Sequence, residues 1–244
     1  MCRKLSIVIP VFNEENTIQT ILRRIHAVNL PLEKEIICID DCSSDQTMNR
    51  LTQIQGELTG IQVYKNEKNR GKGFSVRQGI EKSTGEIIII QDADLEYDPA
   101  DYPKILQPIL SGKADVVYGS RFLFTEPKPV FHFWHYVINR MLTLFFDIVS
   151  NLNLSDMATC YKAFRSEAVK KVKLTENRFG FDPEVTFKLA KIRGLRIFEV
   201  GVSYYGRTHK EGKKINWKDG VRAIYVIFKN GLHYLLRRGK AIYK

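Results

Sequence analysis

Residues 86–99 read EIIIIQDADLEYDP, and the fold is decided there. Four consecutive isoleucines, Ile87 to Ile90, leave no polar position for a solvent face, so the run predicts a strand buried on both sides. Strands buried on both sides belong to parallel sheets covered by helices. The apolar run ends at Gln91, and Asp92 and Asp94 follow at once, at the carboxyl end of the strand. In open α/β sheets that rim is where ligands bind.

Outward from this strand the same alternation recurs. Leu5–Phe12 (LSIVIPVF), Glu35–Asp40 (EIICID), Ile61–Asn66 and Ala114–Gly119 (ADVVYG) read as further strands. Between them, helices are predicted after Asn13–Asn16, where Ile18, Ile21, Leu22 and Ile25 keep helical spacing, and over Gln46–Ile54, Gly71–Ser83 and Pro99–Leu110. The expected class is α/β: a mostly parallel twisted sheet with helices on both faces, of Rossmann-like nucleotide-binding type. Beyond residue 120 the alternation lapses. An aromatic-rich helix is predicted over Phe131–Leu152, a strand over Cys160–Arg165, a helix over Phe181–Arg193 and a strand over Leu195–Val200. Neither linker nor repeat interrupts the 244 residues, so one domain is expected.

Composition narrows the partners. With 44% hydrophobic and 27% charged residues the chain is globular rather than disordered. Its net charge of +11 favours polyanions: nucleic acid, anionic membrane or phosphorylated small molecules. Nucleic acid fits poorly, because acids occupy the rim where phosphates would sit and no binding motif is present. Cys2, Cys38, Cys42 and Cys160 form no CxxC pair and read as reduced thiols of a cytoplasmic protein. Met1–Lys4 leads straight into a strand, which predicts no signal peptide, and no run reaches the ~18 apolar residues of a spanning helix. The expected location is cytoplasmic, peripheral on the cytoplasmic face of the membrane.

The acids carry the chemistry. Asp40-Asp41 ends the second strand as Asp92-Ala93-Asp94 ends the fourth. Carboxylates one residue apart in a turn can converge on a hard cation such as Mg²⁺ or Mn²⁺. Such a cation would neutralise a departing diphosphate. The bland alternative is an aspartate that caps a helix or closes a turn. Gly71-Lys72-Gly73 lacks the rest of a Walker loop, yet a helix start can meet a phosphate with its backbone. Among the histidines only His209 lies near predicted chemistry, and none has metal-ligand spacing.

Taken together the motifs are specific. IVIPVFNEE (7–15), IDDCSSDQT (39–47), NRGKG (69–73) and QDADLEYDP (91–99), in this order, resemble the family 2 glycosyltransferases of GT-A type. GSR (119–121), SDMATCYKAFR (155–165) and YYGRTHKEGKK (204–214) resemble the dolichyl- or polyprenyl-phosphate sugar synthases within them. The resemblance implies inverting transfer of a hexose from a GDP- or UDP-sugar to a polyprenyl phosphate at an anionic membrane surface, with a hydroxyl acceptor on a glycan as the alternative. It implies a nucleotide-sugar half over 1–120, an acceptor half over 121–220 and a basic amphipathic segment over 221–244. Pro10, Phe12, Glu14, Asp40, Asp41, Gly71, Lys72, Asp92 and Ala93 would form the nucleotide-sugar site, with Asp41 on the base. Asp92 and Asp94 would hold Mg²⁺ or Mn²⁺. Asp94, Arg121 and Asp156 would be catalytic, and Arg121, Arg207, Lys213 and Lys214 would bind the acceptor phosphate. Asp156 would be a general base for a hydroxyl acceptor, or a positioning group for a lipid phosphate, which is already ionised near pH 7.

Two departures from the family pattern stand out. Many relatives carry Gln where this chain has Glu96, which adds a third carboxylate beside the metal pair. The basic loop 207–214 is longer than usual, with Gly212 displaced and no Ser. Two apolar stretches leave alternatives open. Phe131–Leu152 suits either core packing or a helix lying in a membrane interface. Residues 221–244 suit either a solvated helix face or an anchor on anionic lipid.

Overall fold

The computed structural model describes residues 2–123, 133–207 and 217–241. Its elements, in chain order, are β1 (Lys4–Val11), α1 (Ile18–Ala27), β2 (Glu33–Asp40), α2 (Thr47–Glu57), β3 (Ile61–Lys65), α3 (Lys72–Lys82), β4 (Ile87–Ile90) and α4 (Tyr102–Leu110). There follow β5 (Val116–Ser120), α5 (Phe133–Ser150), β6 (Lys162–Arg165), α6 (Ser166–Lys170), α7 (Phe181–Ala190), β7 (Ile197–Gly201) and α8 (Trp217–Ala241).

The strands form one sheet in the order β3-β2-β1-β4-β6-β5-β7. β1 pairs in parallel with β2 and β4, β2 with β3, and β5 with β7. The chain thus steps outward from β1 to β3 and then crosses to the other side of β1 as β4. The loops after β1 and β4 therefore flank the crevice where strand order reverses, the place an open sheet offers a ligand. β6 is the exception, antiparallel to both β4 and β5. Its reversal brings its amino end, preceded by residues 155–161, to the same rim as the carboxyl ends of its neighbours.

All four isoleucines of β4 are buried, as their unbroken apolar run requires. Behind them α3 lies so close to β1 that a Cβ at Gly79 would collide with Val8. Gly79→Ala should therefore destabilise the fold by about 1–3 kcal/mol, the usual cost of forcing a methyl into a packed core. A urea midpoint equal to the wild type's would mean that α3 can move off the strand.

Several boundaries differ from expectation. α1 starts at Ile18, beyond the acids at Glu14 and Glu15, because the Glu14 carbonyl accepts from Thr17 N and Ile18 N to close a turn first. α6 is not anticipated; five residues are too few to show a period. α8 begins at Trp217, ahead of the expected 221–244 segment, and its buried Asp219 takes an ion pair from Arg178 at 3.2 Å. The aromatic-rich helix packs against the core on one face only. Phe146 of α5 is fully buried against Phe187 of α7, with ring centroids 4.5 Å apart, while Trp134, Ile138, Met141, Leu144 and Ile148 are exposed.

Candidate active site

The rim is built from loops that hold one another. Asn13 sits at φ 49°, a left-handed conformation that Asn tolerates, and turns the chain sharply after β1. Its side-chain oxygen accepts from Ser44 N at 2.9 Å, and its own N–H donates to Ser43 Oγ at 2.9 Å. Asp40 is fully buried and accepts from Ser43 N and Ser43 Oγ, so it closes the turn after β2. Asp41 accepts from Asn66 Nδ2 at 2.7 Å, Arg70 N at 3.0 Å and Gly71 N at 2.6 Å. That carboxylate pins the loop before α3. Gly71 is required there: its φ of 94° is left-handed, and a Cβ would lie 2.6 Å from the Asn177 carbonyl oxygen.

Lys72, the first residue of α3, reaches back across the rim to Asp92, with Nζ 2.6 Å from Oδ1 and 2.8 Å from Oδ2. Burial works against both charges, yet each favours the other. Lys72 is held well above its ordinary range, while the lysine and the adjacent Cys160 thiol draw the Asp92 carboxyl down. Asp94 behaves oppositely. Burial, then the charges of Asp92 and Glu96, push its carboxyl up to about 7, against the pull of Arg207. This part of the rim has more negative charge than its surroundings offset.

Arg207 is the cation that meets it. Nη1 and Nη2 each lie 3.1 Å from a Glu14 carboxylate oxygen, and Nη2 lies 3.2 Å from Asp94 Oδ2. Its backbone N–H donates to Glu96 Oε1 at 2.7 Å, and Tyr204 Oη donates to Glu96 Oε2 at 2.8 Å. Glu96 therefore fastens the 204–207 strap over the Asp-x-Asp turn. Among the described residues no three His, Cys, Asp or Glu side chains converge as a ready metal cage. The motif carboxylates hold Lys72 and Arg207 instead.

On the far side of the strap lies a buried ion pair. Arg121 follows β5 and donates from Nε to Asp156 Oδ2 and from Nη2 to Oδ1, each at 2.7 Å, while its backbone N–H reaches Oδ2 at 3.0 Å. Asp156 has no exposed surface. Burial disfavours the guanidinium, but Asp156 overrides it and holds Arg121 above its ordinary range. The Arg121 guanidinium carbon also sits 5.2 Å from the centre of the Tyr204 ring.

A family model described as glycosyl transferase family 2 matches residues 6–173. The chain belongs to that family. It is 28% identical over 220 residues to a dodecaprenyl-phosphate galacturonate synthase of Rhizobium johnstonii, covering 86% of this chain and 61% of that protein. It is 25% identical over 229 residues to a dolichol-phosphate mannosyltransferase of Pyrococcus furiosus, covering 93% and 64%. An undecaprenyl-phosphate 4-deoxy-4-formamido-L-arabinose transferase of Pseudomonas aeruginosa is 29% identical over 213 residues, covering 86% and 60%. The chain thus spans about three fifths of the length of these curated relatives. Among solved structures, glucosyl-3-phosphoglycerate synthase from Mycobacterium tuberculosis, in complex with Mn²⁺, UDP and phosphoglyceric acid, superposes with a TM-score of 0.72. Identity there is 19%, over 94% of this chain and 78% of that one. The fold is that of the GT-A glycosyltransferases.

Within this family fold most of the residues singled out from sequence share one rim. Glu14, Asp92, Asp94, Glu96 and Arg207 meet, with Lys72 beside Asp92 and Ala93 buried between the motif acids. Asp40 and Asp41 face their own loops, and the half-buried Pro10 and Phe12 flank Val11, the last residue of β1. Lys213 and Lys214 lie outside the described residues. Sequence reasoning missed Tyr204, which bridges Glu96 and Arg121, and Glu199, whose carboxylate accepts from Ser155 N and Asp156 N and so holds the loop bearing Asp156. It also missed the fully buried Lys162, paired with Asp182 at 2.5 Å.

Proposed function

We propose that the chain transfers a sugar from a nucleoside diphosphate donor to a polyprenyl phosphate, with a divalent cation at Asp92 and Asp94. The observation that carries the acceptor class is the state of Asp156. A hydroxyl acceptor needs a general base in reach, and Asp156 is the acid the family resemblance assigns to that role. Its two oxygens are committed to Arg121 and it has no exposed surface, so it cannot take a proton from an incoming hydroxyl in this arrangement. A phosphate acceptor is already ionised and has no need of one. The polyprenyl-phosphate activities named for the three curated relatives support the same reading.

The metal fits the residues present. The donor set is all carboxylate oxygen, the preference of Mg²⁺ and Mn²⁺, and Asp94 sits in surplus negative charge. When bound, the ion would supply charge neutralisation to the departing diphosphate. The chain's own groups do the rest. Lys72 holds Asp92 in place, Glu96 fixes the strap, and Arg121 and Arg207 present cations beside an anionic site where burial strengthens every charge. The anomeric carbon loses its bond to the donor's phosphate oxygen as it gains one to an acceptor phosphate oxygen, in a single inverting displacement.

The test uses radiolabelled UDP- and GDP-sugars with Mn²⁺ or Mg²⁺, after a thermal-shift panel has identified the stabilising donor. Label should pass into a solvent-extractable lipid with polyprenyl phosphate and not onto free glycan hydroxyls. Transfer to glycan alone would overturn the acceptor assignment.

The apolar surface supports a location at the bilayer. Trp134, Ile138, Met141, Leu144 and Ile148 of α5 are exposed, as are Val221, Ile224 and Phe228 of α8, and the two helices pack together. No described helix is long and apolar enough to cross a membrane. Lys218, Arg222 and Lys229 of α8 add positive charge. Sedimentation with anionic vesicles should be strong at low salt and weaken as salt rises. Glutamate at Leu144 and Phe228 together should abolish it. Equal partitioning onto neutral vesicles would count against the electrostatic part.

A further inference from the structure

Arg207 stands where its charge answers three carboxylates at once. Glu14 takes it through both terminal nitrogens at 3.1 Å, Asp94 through Nη2 at 3.2 Å, and Glu96 Oε1 lies 3.9 Å from Nε. Its Nε is buried and has no hydrogen-bond partner among the described residues. A guanidinium carries five donors in a fixed planar fork. Here that fork faces two acidic groups squarely, and its third edge makes an ion pair without a hydrogen bond. The neighbouring motif acid, Asp92, is satisfied by Lys72 instead. A half-buried cation so placed neutralises the cluster, but it also occupies an Asp94 oxygen that a divalent ion would use.

We infer that Arg207 is the resident counter-cation of the Asp94 cluster, and that a divalent cation and the Arg207 side chain exclude each other there. The inference rests on the proposed metal role of Asp94 and adds the device that governs it. With the metal absent, Arg207 screens Glu14, Asp94 and Glu96 from one another. A metal held at Asp94 would displace the guanidinium from that oxygen and leave it on Glu14 with less of its charge answered. It is then available to a phosphate of donor or acceptor, for which its bidentate geometry is suited. Glu96 makes the exchange local. Its carboxylate grips Arg207 through the backbone N–H at 2.7 Å and Tyr204 through the hydroxyl at 2.8 Å, so the strap stays anchored while the side chain swings. Metal occupancy and anion binding are thereby coupled through one side chain, without a change in the sheet beneath.

The test reads Mn²⁺ binding with no nucleotide or acceptor present, by the loss of the free-ion paramagnetic resonance signal. Wild type, Arg207→Gln, Arg207→Lys, Asp94→Asn and the Arg207→Gln/Asp94→Asn double variant are compared as full-length chains. Removing the resident cation should tighten Mn²⁺ binding on the order of 10-fold, a usual size for coupling between two binding events. Lysine, which keeps the charge, should leave affinity near the wild type's. Asp94→Asn in the Arg207→Gln background should remove the gain. Melting in EDTA adds a second readout: Arg207→Gln should melt below wild type, and Mn²⁺ should recover more of its melting temperature than it adds to wild type. If Asp94-dependent Mn²⁺ binding is present but Arg207→Gln leaves it unchanged or weaker, the exclusion is wrong while the metal role of Asp94 stands. Should no variant bind Mn²⁺ in an Asp94-dependent way, the metal reading fails, and this inference with it.

Discussion

Asp94→Asn is expected to lower sugar transfer by roughly 10²- to 10³-fold, the loss seen when a group stabilising charge at the reacting centre is removed. The chain would still fold. The Asp94 carboxyl is pushed up to about 7 by burial and by Asp92 and Glu96, so the buried charge is costly before any metal arrives. Asparagine keeps the shape of the protonated acid and drops that cost, at the expense of one 3.2 Å contact with Arg207, which Glu14 still holds through both nitrogens. Urea and thermal midpoints in EDTA should therefore stay near the wild type's, while the rise in melting temperature on adding Mn²⁺ with the donor should vanish. Near-normal turnover in the variant would remove Asp94 from the metal site. A collapse of the EDTA midpoint would instead make the residue structural.

How far the site could be read from sequence depended on the range of each interaction. The buried strand Ile87–Ile90 and the acids behind it were legible because periodicity and the end of an apolar run are local signals. The rim position of Asp92 and Asp94 followed from them. The partner of Asp94 did not. Arg207 and Glu14 are 193 positions apart, and nothing in a charge run says which carboxylate it will face. The family resemblance implies an acceptor phosphate for Arg207 and says nothing of the contacts its side chain makes with Glu14 and Asp94. The antiparallel sense of β6 was equally hidden, since a four-residue strand carries no direction. Lys162 misleads in the same way: a lysine reads as surface, yet this one is buried on β6 against Asp182 and beneath Tyr118. A charged residue inside the run YKAF was the available hint. The boundary of α1 shows the converse, where Glu14 and Glu15, good helix-start residues, serve loop contacts instead.

The buried pair of Asp156 and Arg121 should give the largest stability effect among single substitutions in the site. Asp156→Asn removes a carboxylate that accepts three hydrogen bonds from Arg121 and leaves a guanidinium, 7% exposed as a residue, without its counter-charge. Breaking a buried pair from one side costs about 3–5 kcal/mol, because the remaining charge stays desolvated. The Tyr204 ring and the Asn139 side-chain oxygen, 3.5 Å from Nη2, are weak substitutes. Removing both charges should behave differently. An Arg121→Met/Asp156→Leu double variant should recover much of the lost stability, since a buried ion pair and an apolar pair of similar volume are often close in free energy. Activity separates the two roles. If Asp156 acts only by holding Arg121, the double variant regains its fold and stays inactive, because the Arg121 cation is lost to the phosphate and Arg207 does not replace it. If transfer to polyprenyl phosphate returns with the fold, neither residue touches the reaction, and the acceptor phosphate must be held elsewhere. Urea denaturation of the four members of the cycle, with transfer measured on each, decides between these outcomes.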